Sequence, residues 1–112
     1  MRVYNQGDGV EFVAWFEATP GVPTVPPSAH WRLRCLTSNT VLQDWTAVPS
    51  EIVSENGAII GVKSLIEIDG ALNEMQDANN RRETKQLQVS AAKATARQYS
   101  KFLEYAVANG NL

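Results

Sequence analysis

His30-Trp31-Arg32-Leu33-Arg34-Cys35-Leu36 alternates without a break between apolar and polar side chains. Trp31, Leu33 and Cys35 fall on one face and His30, Arg32 and Arg34 on the other, the period-two pattern of a half-buried strand. Thr37-Ser38-Asn39-Thr40 follows as turn chemistry, with an asparagine that tolerates left-handed backbone. Val41-Leu42-Gln43-Asp44-Trp45-Thr46-Ala47-Val48 then returns with β-prone residues. Residues 30–48 therefore read as a β-hairpin, and the rest of the chain repeats the theme.

Upstream, Val10, Phe12, Ala14 and Phe16 share one strand face, and Glu11, Val13, Trp15 and Glu17 share the other. Aromatics on both faces imply cover on one side and partial cover on the other. The connection 19–28 holds four prolines in eight residues, which cannot donate to a central ladder, so it reads as an extended surface passage. Downstream, Asn56-Gly57 signals a turn into the β-prone segment 58–68, with Gly61 placed for a bulge. The stretch near 71–78 suits a short helix or a loop, and Leu87-Gln88-Val89-Ser90-Ala91 alternates again. Residues 93–107 fit two periods. Tyr99, Leu103, Tyr105 and Val107 have strand spacing, which we favour, whereas Tyr99, Phe102, Leu103 and Ala106 have helix spacing.

Six to seven short strands without interleaved helical repeats predict a mostly-β fold, a single antiparallel β-sandwich over residues 1–112. The 112 residues allow one domain and no second core. Ten basic against twelve acidic side chains leave a net charge of −2, which gives no reason to expect a nucleic-acid partner. No signal-type leader and no membrane-length apolar run is visible, so a reducing aqueous setting without a membrane partner is expected. The lone Cys35 excludes an intrachain disulfide and reads as a packed, inert thiol.

Catalytic and metal-binding patterns are weak. His30, the single histidine, lacks Cys, His or carboxylate partners at ligand spacing. Asp44 and Glu51 read as solvated carboxylates, and Asp69, Glu74 and Asp77 match no calcium-loop spacing. Gly7-Asp8-Gly9 precedes a strand and not a helix, so it is no phosphate cradle. Ser28, Ser38 and Ser100 lack the context of an activated nucleophile. No catalytic residue, metal or cofactor is expected. The candidates for contact are Trp15, which opposes the Phe12 face; the outward pair Arg32 and Arg34; Arg81 and Arg82; and the stiff proline passage with Pro23 and Pro26. Residues 1–9 and 108–112, polar and rich in Gly and Asn, are natural docking arms.

The tracts Val10-x-Phe12-x-Ala14, Pro27-Ser28-x-x-Trp31-Arg32-Leu33 and Leu42-x-x-Trp45-Thr46 resemble small immunoglobulin-like β-sandwich virion proteins of tailed bacteriophages. Arg82-Glu83, Leu87-Gln88-Val89-Ser90-Ala91 and Tyr105-x-Val107 continue the resemblance to the end of the chain. It departs at 92–98, which lacks a Gly or Asn turn, and at 69–80, which is long for a tight connection. The resemblance implies a non-enzymatic structural protein present in many copies on the virion, made in the host bacterial cytoplasm. Capsid decoration (cement) is the favoured position, with the head–tail neck or the tail as the alternative. Its partners would be the major capsid protein, portal or neck proteins, and further copies of itself. A stand-alone immunoglobulin-like module that binds protein or glycan on its loops fits the composition as well.

Overall fold

A computed structural model describes residues 1–17, 29–92 and 98–109. It contains β1 (Val3–Asn5), β2 (Val10–Glu17), β3 (Ala29–Cys35), β4 (Thr40–Val48), β5 (Ser50–Glu55), β6 (Ala58–Ile68), a 3₁₀ turn (Gly70–Asn73), β7 (Arg82–Ala92) and β8 (Gln98–Ala108). Five strands form one sheet in the order β1-β8-β7-β3-β4, and three form the other in the order β2-β6-β5. If β2 to β8 are lettered B, C, C′, D, E, F and G, the sheets become A′GFCC′ and BED, the immunoglobulin arrangement. The fold is thus a β-sandwich of this type, with Trp31 buried on strand C where such domains carry their core tryptophan. It is antiparallel throughout the described pairs except for β1, which joins β8 in parallel.

The alternation seen in sequence is the alternation of burial. On β3, Ala29, Trp31, Leu33 and Cys35 are buried while His30 is exposed. Ala29, Trp31 and Leu33 share a cluster with Ala14, Ile66 and Ile68 of the facing sheet and with Leu87, Val89, Tyr105 and Val107 of their own. Tyr4, Phe12 and Tyr105 close one end of this core, with ring centroids 5.3–6.1 Å apart. Edge-on and tilted contacts at such separations add to the burial of the rings themselves.

The turns follow their residues. Asn39 (φ 53°) closes β3–β4, and Asn56 (φ 52°) with Gly57 (φ 79°) closes β5–β6. Two successive positive φ values are the primed hairpin turn that Asn-Gly encodes. The bulge expected at Gly61 sits beside it: Val53 pairs with Gly61 and Ser54 with Ile59, so Ile60 is the extra residue.

The remaining expectations meet different outcomes. The stretch near 71–78, expected as a short helix or a loop, holds both: a 3₁₀ turn over Gly70–Asn73 and a loop after it. The last segment is the strand that its spacing favoured, over Gln98–Ala108, paired with β7 along its whole length despite the missing turn signal, and 93–97 lies outside the described residues. Residues 3–8 do not form a free arm. Tyr4 and its neighbours pair with β8, Gln6 N–H donates to the Ala108 carbonyl, and Gly7 N–H donates to that of Asn73. The proline passage with Pro23 and Pro26, and residues 110–112 of the C-terminal arm, lie outside the described residues. Only Pro49 separates β4 from β5, so one run of chain leaves one sheet and enters the other.

Candidate interaction surfaces

Four regions are candidates for function, and the most polar of them is sealed. On β7 the inward register runs Glu83, Lys85, Leu87, Val89, so a carboxylate and an ammonium occupy core positions. Lys85 Nζ lies 3.2 Å from Glu83 Oε1 and donates also to the Glu74 carbonyl. Glu83 accepts from Gln76 N–H (2.8 Å), Asp77 N–H (2.9 Å) and the Asn80 amide (3.0 Å), with the Cys35 thiol 3.7 Å away. Burial pushes the Glu83 carboxyl up. The donors from Gln76, Asn80, Asp77 and Lys85 more than offset this and hold it down at about 2. Beside the pair, buried Tyr105 donates its hydroxyl to Asn73 Oδ1 (2.7 Å), and Asn73 donates to the Asp8 carbonyl (2.8 Å). Burial raises the Tyr105 phenol well above its ordinary value.

This network pins loop 74–81 and the β1–β2 turn to the bottom of the sandwich. It supplies no open site: Glu83 is ionised and saturated, Lys85 is held by two acceptors, and both side chains are inaccessible. It is an anchor that replaces apolar packing beneath a long loop. Sequence reasoning missed Glu83 and Lys85. Extending the Leu87–Val89 alternation back by two and four positions would have placed both inside.

The outer face of the five-stranded sheet carries Arg32 and Arg34 as expected. Arg32 donates to Gln88 (2.7 Å) and stacks 4.9 Å over the Trp45 ring, and its Nε is buried without a hydrogen-bond partner among the described residues. With Phe102 opposite Gln88, β8 to β4 present a row Phe102–Gln88–Arg32–Trp45. Arg34 donates to Asn39 (2.8 Å), and His30 is exposed on the same face. On the outer face of the other sheet, Trp15 is half-buried opposite Lys63, and Val13 opposes Leu65. Arg81 and Arg82 are exposed at the start of β7 and are not joined to Arg32 by any contact the structure shows.

The remaining candidates disperse. Asp69 caps the 3₁₀ turn through Ala71 N–H, and Asp77 caps Asn79 N–H. Asp44 accepts from Trp45 N–H, and Glu51 stands 3.8 Å from Lys63. Among the described residues no group of His, Cys, Asp and Glu side chains is placed to hold a metal, and no helix is long and apolar enough to cross a membrane.

Two features on opposite sides of the sandwich are apolar and open. Between β2 and β8 lies a cleft of about 210 Å³ lined by Phe12, Val13 and Ala14 of β2, Lys101, Phe102 and Leu103 of β8, and Ile66, Leu87 and Val89. Among the described residues, β2 is an edge strand of its sheet, and β1 pairs with β8 only over Ala106–Ala108. At the top, β6 beyond Gly61 pairs only with β5 among the described residues. Ile52 (40 % exposed) and Ile59 (42 %) continue the core-facing side of that sheet past its cover.

What the strand order defines is an immunoglobulin-type β-sandwich. No protein-family model matches the chain, and neither a curated protein nor a solved structure does.

Proposed function

We propose that this chain is a non-enzymatic structural protein of a tailed-bacteriophage particle, used in many copies and held by non-covalent contacts. Capsid decoration is the position favoured, with the neck or tail as the alternative. One observation carries the assembly part of this reading. Ile52 and Ile59, on the core-facing side of the sheet, are 40 % and 42 % exposed where β5 and β6 form a two-stranded hairpin among the described residues, an arrangement that is marginal in water unless further strands or a partner cover it. The resemblance of the Trp31-Arg32-Leu33 and Trp45-Thr46 tracts supports the virion part. Weak contacts suffice when identical copies repeat around a symmetric shell.

In this reading the outer row of Arg32, Trp45 and Phe102 meets a neighbouring virion protein, since Trp and Arg dominate interface energetics when desolvated. The test is cosedimentation of the purified chain with empty heads and, separately, with tails. Binding to heads at fixed stoichiometry is the expected result. Binding to neither overturns the reading. A stand-alone binding module has less support, because the exposed aromatics Trp45 and Phe102 lie on a strand face and not in a loop cluster among the described residues. Specific hits on a glycan array would reverse that preference.

A further inference from the structure

The outer faces of the two sheets carry unlike charge around comparable apolar patches. On the three-stranded sheet, Glu11 of β2 stands directly opposite Glu67 of β6, and Val13 opposite Leu65 is the next outward pair. Like charges set across a ladder from one another repel. All four side chains are exposed, Val13 at 60 % and Leu65 at 42 %. The ion pairs among the described residues are Lys63–Glu51 and Lys85–Glu83, so Glu11 and Glu67 have no counter-ion there.

The five-stranded sheet offers the complement. Strand β3 turns Arg32 and Arg34 outward, with His30 and no acid beside them on that strand. Each arginine donates to a neutral amide, Arg32 to Gln88 and Arg34 to Asn39, so neither positive charge is balanced by a carboxylate. Phe102 (60 % exposed), Trp45 and Val41 flank the pair on the same face. Two residues along a strand span about 7 Å, and side chains across a ladder start about 5 Å apart. Two guanidinium groups at the first spacing can therefore meet two carboxylates at the second, one to one, within the reach of their side chains. The two faces lie on opposite sides of one sandwich, so a single copy cannot bring them together.

We propose that copies of this chain stack sheet on sheet, the Arg32–Arg34 face of one copy on the Glu11–Glu67 face of the next, with Phe102 and Trp45 against Val13 and Leu65. The inference rests on the reading that the Arg32, Trp45 and Phe102 row meets a neighbouring virion protein, and it names that neighbour as a second copy. The guanidinium groups relieve the repulsion between Glu11 and Glu67 that each separate copy carries. Opposite charges set the register and speed the encounter, and the apolar side chains supply the burial. Such a contact is heterologous: it closes into a ring if the rotation between copies divides a full turn, and otherwise runs on as a filament.

The test is a charge swap on the intact chain, with Arg34→Glu on one face and Glu67→Arg on the other. Light scattering across a concentration series should show the wild-type mass rising above that of the monomer, and falling back as salt is added. Each variant alone sets like charges against each other and should associate on the order of a hundredfold more weakly. Mixed one to one, the variants offer two compatible contacts, one of wild-type sign and one reversed, and association should return. Thermal unfolding no lower than that of wild type shows that both variants fold. A wild type that stays monomeric to about millimolar concentration, a regime where even weak contacts populate, overturns the proposal. So does association that neither variant weakens, or a mixture that does not recover it. Wild-type monomers that nevertheless cosediment with heads would overturn this contact and leave the virion reading standing. Charge-dependent self-association without binding to any particle would do the reverse.

Discussion

Replacing Glu83 by glutamine changes one atom type at the bottom of the sandwich and should cost more than any surface substitution. The carboxylate accepts from two backbone N–H groups, the Asn80 amide and the Lys85 ammonium, and its side chain is fully buried. In Glu83→Gln the new amide turns two donors toward a ring of donors, and Lys85 loses its counter-ion in a site that water does not reach. Removing one member of a buried pair costs roughly 3–5 kcal/mol, a large share of the roughly 5–15 kcal/mol that holds a domain together.

The same site sets an acid dependence. The Glu83 carboxyl lies at about 2 when folded against an ordinary value of 4.5. A depressed folded value gives stability that is complete above the ordinary value and lost as pH falls toward the folded one. At 1.36 kcal/mol per unit, the difference amounts to about 3 kcal/mol, lost between roughly pH 4.5 and 2. Urea unfolding followed by tryptophan fluorescence at a series of pH values measures both effects. The wild type should lose this component on acidification, and the variant, already lacking it, should show a correspondingly flatter curve. A variant within 1 kcal/mol of wild type at neutral pH, with an identical acid slope, would refute the anchor.

Tyr105→Phe removes the donor to Asn73 Oδ1 and leaves a buried acceptor unpaired, so a loss of about 1–3 kcal/mol is expected, read as a lower Tm. Gly70→Ala would drive its Cβ into the backbone carbonyl of Gly7, which no side-chain rotation relieves. We expect a loss of about 1–3 kcal/mol in chemical denaturation, and no loss would show that the two turns are not in contact. Cys35 is fully buried, so its labelling by a thiol reagent should proceed only as fast as the chain opens, accelerating with urea in parallel with unfolding. Rapid labelling in native buffer would contradict that placement.

The strands that sequence reasoning finds are those whose burial pattern is local. Trp31, Leu33 and Cys35, or Phe12 and Ala14, declare a face within one segment because each strand covers a core on one side. β1 is three residues long, too short for any period, and is a strand only because β8 offers an edge. β5 has the sequence Ser50-Glu51-Ile52-Val53-Ser54-Glu55, whose exposure on both sides leaves little alternation to detect. Its partner turn at Asn56-Gly57 is plain, but the turn alone does not show how far back the pairing runs. The outward Arg32 and Arg34 follow directly from the strand period. The ion pair at Glu83 and Lys85 does not, since charges read as solvent-facing until tertiary structure closes over them. The open cleft is a property of two sheets together, and no single segment encodes it.

The parallel pairing of β1 with β8 has a mechanical consequence. The first and last described strands run side by side in the same direction, with Val3 beside Ala106 and Asn5 beside Ala108. Tension applied to the two ends of the chain pulls these neighbours past each other lengthwise, so their hydrogen bonds carry load together instead of parting one after another. Three residues thus act as a latch across the ends of the fold. Removing them should leave the sandwich standing at rest and lower the force at which it gives way in single-molecule pulling.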